Sequence, residues 1–506
     1  MTLVGLSRWT GCATSWTCRS AFRAVIGGLN SAPIRRRISG TQVKLPVGDR
    51  LSDRIALGVL TRAFPPELID EVVAECGRVE QRHRLLPARV VVYFVLAMCL
   101  FFGQGYEEVA RLLVQGLERE GRWAKVWRVP RTAAIGRARL RLGPEPLRAL
   151  FGRVCRPVAI ARTPGAWYRG WRLVAVDGTV FDVPDTAANA EFFGRPGTSR
   201  GQGRSAYPQA RVVALAECGT HAVFAAEVGP LSVHETVLAE GLFPALTEGM
   251  LVLADRGFCG LDLWRAAKAG GADLLWRVRS VVVLPVLETL EDGSYLSEIV
   301  AARDHYRRAD PERVRVVEYT LGSDGTVYRL ITSILDPHEA PATELAALYA
   351  QRWEIETTLD EIKTHQGGPN LVLRSQHPRG VEQEVFAFLL VHHALRDLMH
   401  RAALRDGHDP DRISFTRTLR IVRRHVTGQA ALPPSRLARA TTRSLREITE
   451  RLLPARRLRS NPRVIKRKMS NWALKRTEHH NPPGPPASTV HLVAPTKAHS
   501  KRNKAT

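Results

Sequence analysis

Lysine is the scarce residue of this chain. Only 10 of its 74 basic residues are lysine, and Lys363 is the single one between Lys268 and Lys466. Where arginine is written almost everywhere, that position stands out. Cysteine is sparse too: Cys12, Cys18, Cys76, Cys99, Cys155, Cys218 and Cys259 include no Cys-x-x-Cys pair and no paired histidine spacing. Neither a zinc site nor a disulfide framework is supported. Long apolar stretches are missing. The longest, Val90 to Phe102, has 13 residues and falls short of the roughly 20 that span a bilayer, so it reads as a buried core helix. Acidic residues are in deficit, 49 against 74 basic, which leaves a formal charge of +25 and a pI near 10.6.

What remains is enough to fold. With 506 residues, 44% of them hydrophobic, the chain can bury a large core divided among two or three domains. An excess of positive charge on this scale calls for a polyanion, and nucleic acid is favoured over a membrane surface.

Residues 1–50 show neither a helical nor an alternating period, and Arg35-Arg36-Arg37 interrupts them. They read as a poorly ordered extension without the apolar segment of a signal peptide. From 51 to 160 the pattern is helical, with starts at Pro66, Pro87 and Pro130. Arg137, Arg139 and Arg141 in the last of these helices suit a surface lying against DNA, or the basic outer face of an ordinary helix. After Trp171 the period changes. Leu173 to Val176, Val212 to Ala216, Val223 to Ala226, Leu251 to Ala254 and Leu274 to Val278 read as strands, with a helix at Leu261 to Lys268. A β-rich stretch from about 278 to 335 follows, with a hairpin turn expected at Ser323-Asp324-Gly325. A helix from Thr343 through Lys363 closes an α/β region spanning 161–400. Residues 401–453 form a helical region suited to dimerisation. The segment 454–506 is a basic, largely disordered tail with 13 Lys or Arg against the single acid Glu478.

Chemistry concentrates in that last helix. Tyr349, Arg352, Glu356 and Lys363 stand at offsets of 0, 3, 7 and 14. At roughly 100° per residue they share an arc of about 60°. A carboxylate between cations suits a metal-dependent site that must also hold a phosphate backbone; a solvated face held by i,i+4 ion pairs is the plainer reading. Asp177 and Asp255 each end an apolar strand, where a sheet fixes a carboxylate at the mouth of a crevice. Singly, each is as well explained as a turn residue. Together with Glu356 they supply the all-oxygen ligand set that divalent cations take in phosphoryl transfer. Asp360 is a rival third acid, about 40° from Glu356 on the same wheel.

Other features are weaker. His392-His393 lies in an apolar helix and reads as core. His234 and Glu235 could line the crevice, but a helix cap near Ser232 explains them. Trp276 could stack on an extruded base, with core packing the simpler role.

At three sites the chain resembles the DDE transposases of the IS-4 insertion-sequence family: Val176-Asp177-Gly178-Thr179, Asp255-Arg256-Gly257-Phe258, and the ungapped Tyr-x2-Arg-x3-Glu-x6-Lys pattern of Tyr349, Arg352, Glu356 and Lys363. The resemblance extends over roughly residues 55 to 475. It implies a ribonuclease H-like catalytic core, with a β-rich insertion in the roughly 100 residues between Asp255 and Glu356. The helical segment before it would be an N-terminal DNA-binding domain. It further implies cut-and-paste transposition, in which Asp177, Asp255 and Glu356 hold two Mg²⁺ ions (Mn²⁺ substituting) for end cleavage and 3′-hydroxyl strand transfer. The family pattern selects Glu356 over Asp360, and assigns Tyr349, Arg352 and Lys363 to DNA. The partners implied are double-stranded DNA, as inverted-repeat ends and target, and a second copy in the end-paired complex. No membrane is involved, and the location implied is the bacterial cytoplasm, on the nucleoid. A catalytically inactive DNA-binding derivative or transposition inhibitor is the alternative.

Overall fold

The computed structural model describes residues 57–82, 86–118, 129–197, 205–301, 310–321, 326–429 and 434–454, with short pieces at 464–465, 473–474, 476–477 and 490–494. The described residues belong to one compact unit, Arg50–Thr506. The expectations for residues 1–50, for the turn at Ser323-Asp324-Gly325 and for most of the basic tail lie outside them.

The helical segment forms as its prolines direct. Helix α1 (Pro66–Glu75) begins on Pro66 and α2 (Ala88–Leu100) follows Pro87, positions where a missing N–H costs nothing. Nearly every side chain of α2 is buried, as its unbroken apolar run requires. Helices α3 (Tyr106–Glu118), α4 (Thr132–Leu142) and α5 (Glu145–Val154) complete this part.

One sheet organises the rest. Its strands are β1 (Trp167–Tyr168), β2 (Trp171–Asp182), β3 (Gln209–Glu217), β4 (Val223–Pro230), β5 (Met250–Ala254), β6 (Asp273–Arg277), β7 (Glu288–Thr289), β8 (Tyr295–Ile299), β9 (Glu312–Leu321) and β10 (Val327–Thr332). The order β4-β3-β2-β5-β6-β10-β9-β8-β7 has β2, β3 and β4 antiparallel, with β5 and β6 parallel to β2. The β-rich insertion extends the same sheet through β10, antiparallel to β6. Two further strands, β11 (Val464–Ile465) and β12 (Ala473–Leu474), pair with each other.

Side-chain alternation divides the core between the two faces of the sheet. Leu173, Ala175, Leu251, Leu253 and Leu275 point to one face, and Val174, Val176, Val252, Ala254 and Leu274 to the other. Helices α7 (Glu235–Leu242) and α8 (Leu261–Lys268) cover the second face. The first is covered by the 29-residue helix α11 (Pro378–Asp406), which starts on Pro378 and stops at Gly407 in the left-handed conformation. Short helix α6 (Ala187–Phe193) joins β2 to β3, while α9 (Ala342–Leu348) and α10 (Trp353–Asp360) lead into α11. Helices α12 (Phe415–Gln429) and α13 (Pro434–Thr449) follow, within the region 401–453 read as helical. The arginine-rich sequence of α12 masks the apolar stripe Leu419, Ile421, Val422 and Val426. No helix among the described residues is long and apolar enough to cross a membrane.

Three local expectations are corrected. Arg139 does not face outward: it is buried and donates to Gln383 Oε1 (3.0 Å), Tyr106 Oη (2.6 Å), Ser375 Oγ (2.7 Å) and the Gly380 carbonyl (3.3 Å). It ties α4 to the start of α11. Trp276 takes the simpler of its two roles and is core, fully buried edge-on against Trp264. The cap of α7 is His234, whose ring accepts from the Thr236 amide, not Ser232. Part of the basic tail is a strand: β13 (Val490–Leu492) pairs with Tyr319 to Leu321 of β9. Strand β8 covers only Glu312 to Val316 of β9, so the remaining edge groups needed a partner.

Removing Arg139 takes a buried cation from beside Glu384, 4.0 Å away. Arg139→Ala is expected to cost about 3 kcal/mol or more, read as a lower midpoint in chemical denaturation. Arg137→Ala, on the exposed face of the same helix, should stay within about 0.5 kcal/mol.

Candidate active site

The parallel pairing of β2 with β5 runs from Arg172↔Met250 to Ala175↔Leu253 and stops. Strand β5 ends at Ala254, but β2 continues to Asp182 because β3 pairs with it throughout. The strand therefore does not end at Asp177, as its sequence suggested. Extending the register by two residues sets Asp177 level with Asp255, and both share the parity of Ala175 and Leu253. Both carboxylates thus face the side that α10 covers, where β2 has lost one neighbour and a crevice opens.

Each aspartate is steadied by its own backbone. Asp177 Oδ1 accepts from the Gly178 amide at 2.8 Å and Asp255 Oδ1 from the Gly257 amide at 2.7 Å. The second contact explains Gly257: a Cβ there would lie 2.9 Å from the same oxygen.

The signature segment is helical throughout but not one α-helix. It runs as α9, a 3₁₀ turn (Tyr349–Arg352), α10, and a π turn (Glu361–Gln366). Side chains predicted to share one stripe are therefore spread in depth. Tyr349 is buried, and its hydroxyl donates to the Ala254 carbonyl at 3.0 Å. It pins the segment to the strand end that carries Asp255. Arg352, one turn on, reaches both acids, at 2.7 Å from Glu356 Oε1 and 3.7 Å from Asp177 Oδ2. Its guanidinium also lies over the Trp353 ring, 5.2 Å from the centroid. Lys363 is half-buried and donates to Thr179 Oγ1 at 3.2 Å. Asp360 turns away: it is exposed and accepts from Thr364 Oγ1 at 2.6 Å.

Two of the three carboxylates share one arginine here, and the setting shows on Asp177. Burial pushes its carboxyl up to about 6; the Gly178 amide and Arg352 oppose this, and Asp255 and Glu356 add to it. An all-oxygen donor set with uncompensated negative charge fits a hard divalent cation.

Comparison with known proteins agrees. Residues 54–152 match the family model described as "Insertion element 4 transposase N-terminal", and residues 169–392 match "Transposase DDE domain". "Transposase InsG for insertion sequence element IS4" of Escherichia coli (strain K12) is 30% identical over 408 residues, covering 79% of this chain and 90% of that protein. The chain belongs to the IS4 family of DDE transposases. "Putative transposase InsZ" of the same organism is 27% identical over 213 residues, 42% of this chain and 68% of that protein. The DDE domain implies use of a divalent metal and a ribonuclease H-like core, with which the mixed sheet of this transposase is consistent.

Behind the acids of the transposase lies a buried ionic network that no motif announced. Glu361 accepts from Arg396 Nε at 2.9 Å and contacts His392 Nε2 at 3.1 Å. His221 Nε2 lies 3.2 Å from Asp411 and 3.8 Å from Glu354. Glu354 in turn holds the amide of Gly219, whose φ of +76° and contact with Pro164 leave no room for a Cβ. His221, Glu354 and Asp411 have the ligand types and spacing of a cation site. They are separate from Asp177, Asp255 and Glu356, and Arg396 already supplies positive charge beside them. Burial and Arg396 oppose protonation of His221, but Asp411 and Glu361 outweigh them and raise it to about 9. His393 bonds the Val223 carbonyl at 3.1 Å. The histidine pair is core, as its sequence setting indicated.

Glu361 is held well below the usual carboxylate range: burial raises it, and Arg396 and the histidines more than offset that. A depressed carboxylate stabilises the fold above its unfolded value, near 4.5, and loses that contribution as pH falls toward the folded value. Glu361→Gln should therefore lower the unfolding midpoint at pH 7 and flatten its fall on acidification below about 4.5, measured by thermal melts across pH.

Proposed function

We propose that this transposase binds the inverted-repeat ends of its element and carries out Mg²⁺-dependent cleavage and 3′-hydroxyl strand transfer. The observation that carries the reading is that Arg352 bridges Asp177 and Glu356 at the open edge of β2, where strand register sets Asp255 level with Asp177. These three carboxylates are the residues that would hold the metal. When bound, Mg²⁺ ions activate the attacking oxygen and stabilise the leaving one in an in-line displacement.

The chain's own residues do the positioning. Arg352 holds the Asp177 and Glu356 carboxylates on one side of the crevice and can turn its donors to a phosphate when metal relieves the acids. Lys363 offers a point charge further along β2. Tyr349 keeps Asp255 in place through the Ala254 carbonyl. The helical segment 51–160 carries the end-binding surface through its outward arginines, Arg137 and Arg141, and the basic tail adds sequence-independent attraction. Region 401–453 supplies the contact between two copies in the end-paired complex.

A labelled duplex bearing the flanking inverted repeat, incubated with the full chain, Mg²⁺ and a target plasmid, tests this. Joined product supports the reading; a mobility shift with no cutting, or cutting with no joining, overturns it. Glu356→Ala should lower end cleavage by about 100-fold or more with DNA binding retained. Asp360→Ala should still cut. A cleaving Glu356→Ala protein beside a dead Asp360→Ala protein would reassign the third acid.

A further inference from the structure

Past Asp177, the free edge of β2 borders a cavity of about 240 Å³ lined by Val180, Asp182, Gln209, Lys363, Thr364 and Asn370, among others. Segment 367–373 forms its outer wall. The Leu373 amide donates to the Asp182 carbonyl at 2.9 Å, and the chain turns through Gly368 and Asn370 at φ of +87° and +58°. Asparagine is one of the few side chains that takes this conformation readily.

Three observations give the cavity a chemistry. Lys363 is half-buried, and among the described residues no carboxylate lies within ion-pair distance; its ammonium meets the neutral Thr179 hydroxyl and the Phe181 ring. Asp182 and Asp360 act on it only from beyond ion-pair distance, which leaves the ammonium able to take an anion directly. Gln209 and Asp182 face each other across β3 and β2, with Gln209 Nε2 donating to Asp182 Oδ1 at 2.8 Å. That bond leaves one amide N–H and the carbonyl of Gln209, and the other oxygen of Asp182, to meet a ligand. Such a mixed donor and acceptor edge is what base recognition uses, since Gln pairs with adenine and Asp accepts from cytosine. Finally, Thr179 lies two residues, about 7 Å, beyond Asp177 along the strand. A phosphate on Lys363 is therefore a short step along the DNA strand from the catalytic acids.

We propose that this cavity is a nucleotide-reading pocket, in which Lys363 takes a backbone phosphate while Gln209 and Asp182 read the edge of one base near the cleaved end. This rests on the transposase reading and adds to it: Gln209 and Asp182 set sequence preference at a single position close to the cut. Lys363 contributes affinity without preference.

The test is fluorescence anisotropy of the full chain with a labelled inverted-repeat duplex in EDTA, each of the six terminal base pairs being replaced in turn by the other three. The wild-type protein should show a loss of about 10-fold at one such position. In Gln209→Ala that loss should shrink to twofold or less at that position alone, and Asp182→Asn should change which base is preferred there. Thr364→Phe, a substitution at an exposed site that fills the cavity, should abolish the same preference. Lys363→Ala should weaken every sequence alike. An unchanged preference profile in Gln209→Ala and Thr364→Phe, with folding verified by circular dichroism, overturns the pocket, as does a wild-type protein indifferent at all six positions. Cleavage in Mg²⁺ is scored separately. Cutting and joining with no Gln209-dependent preference would sink the pocket and spare the transposase reading, and a Gln209-dependent preference without cutting would do the reverse.

Discussion

Everything at the candidate site depends on two parallel strands that pair for four residues and then part. Hydrogen bonding between β2 and β5 fixes the register, and the register fixes the level of the two aspartates. Because side chains alternate, a slip of one residue would turn one carboxylate into the opposite core, against α7 and α8. The apolar residues that precede each aspartate forbid that slip. Val174, Val176, Val252 and Ala254 are all fully buried on the far face. Packing that is unrelated to chemistry therefore sets the geometry of the acids.

The third acid arrives by different means. Its segment meets the sheet at Tyr349 and the spine of the protein at Glu361, and those anchors lie twelve positions apart. A regular α-helix between them would carry its turns at a fixed pitch. The observed chain tightens to a 3₁₀ turn at one anchor and loosens to a π turn at the other. Such irregular turns recur at functional sites, and here both anchors are buried polar groups whose bonds favour the distortion. Glu356 sits on the regular stretch between them, partly exposed, with Arg352 as its neighbour.

Much of this was legible in the sequence. Short apolar runs that end in aspartate locate β2 and β5 because buried parallel strands leave no alternation to confuse them. The spacing of Arg352, Glu356 and Lys363 was legible because it repeats at near-helical intervals. What escaped was burial of polar tips. Arg139 and Tyr349 look like surface ligands on a helical wheel, since a wheel shows direction and not what stands opposite. Their partners, Gln383 and Ala254, lie far away in sequence. The same holds for His221, Glu354, Glu361, Arg396 and Asp411, which only the completed fold brings together. The pairing of Asp182 with Gln209 depends on strand register across β3, which no local pattern specifies.

The strand contributed by Val490 to Leu492 gives the basic tail a second character. It occupies the stretch of β9 left bare by β8 and packs on α9, the helix that precedes the signature segment. A sheet margin capped by the chain's own terminal region is closed to strands from other molecules, which is how edge-to-edge aggregation is avoided. The same cap is a removable part. Any event that peels it away, such as proteolysis within the tail or a heavy load on its arginines and lysines, would expose a template for strand exchange between copies beside the helix that leads into the signature segment.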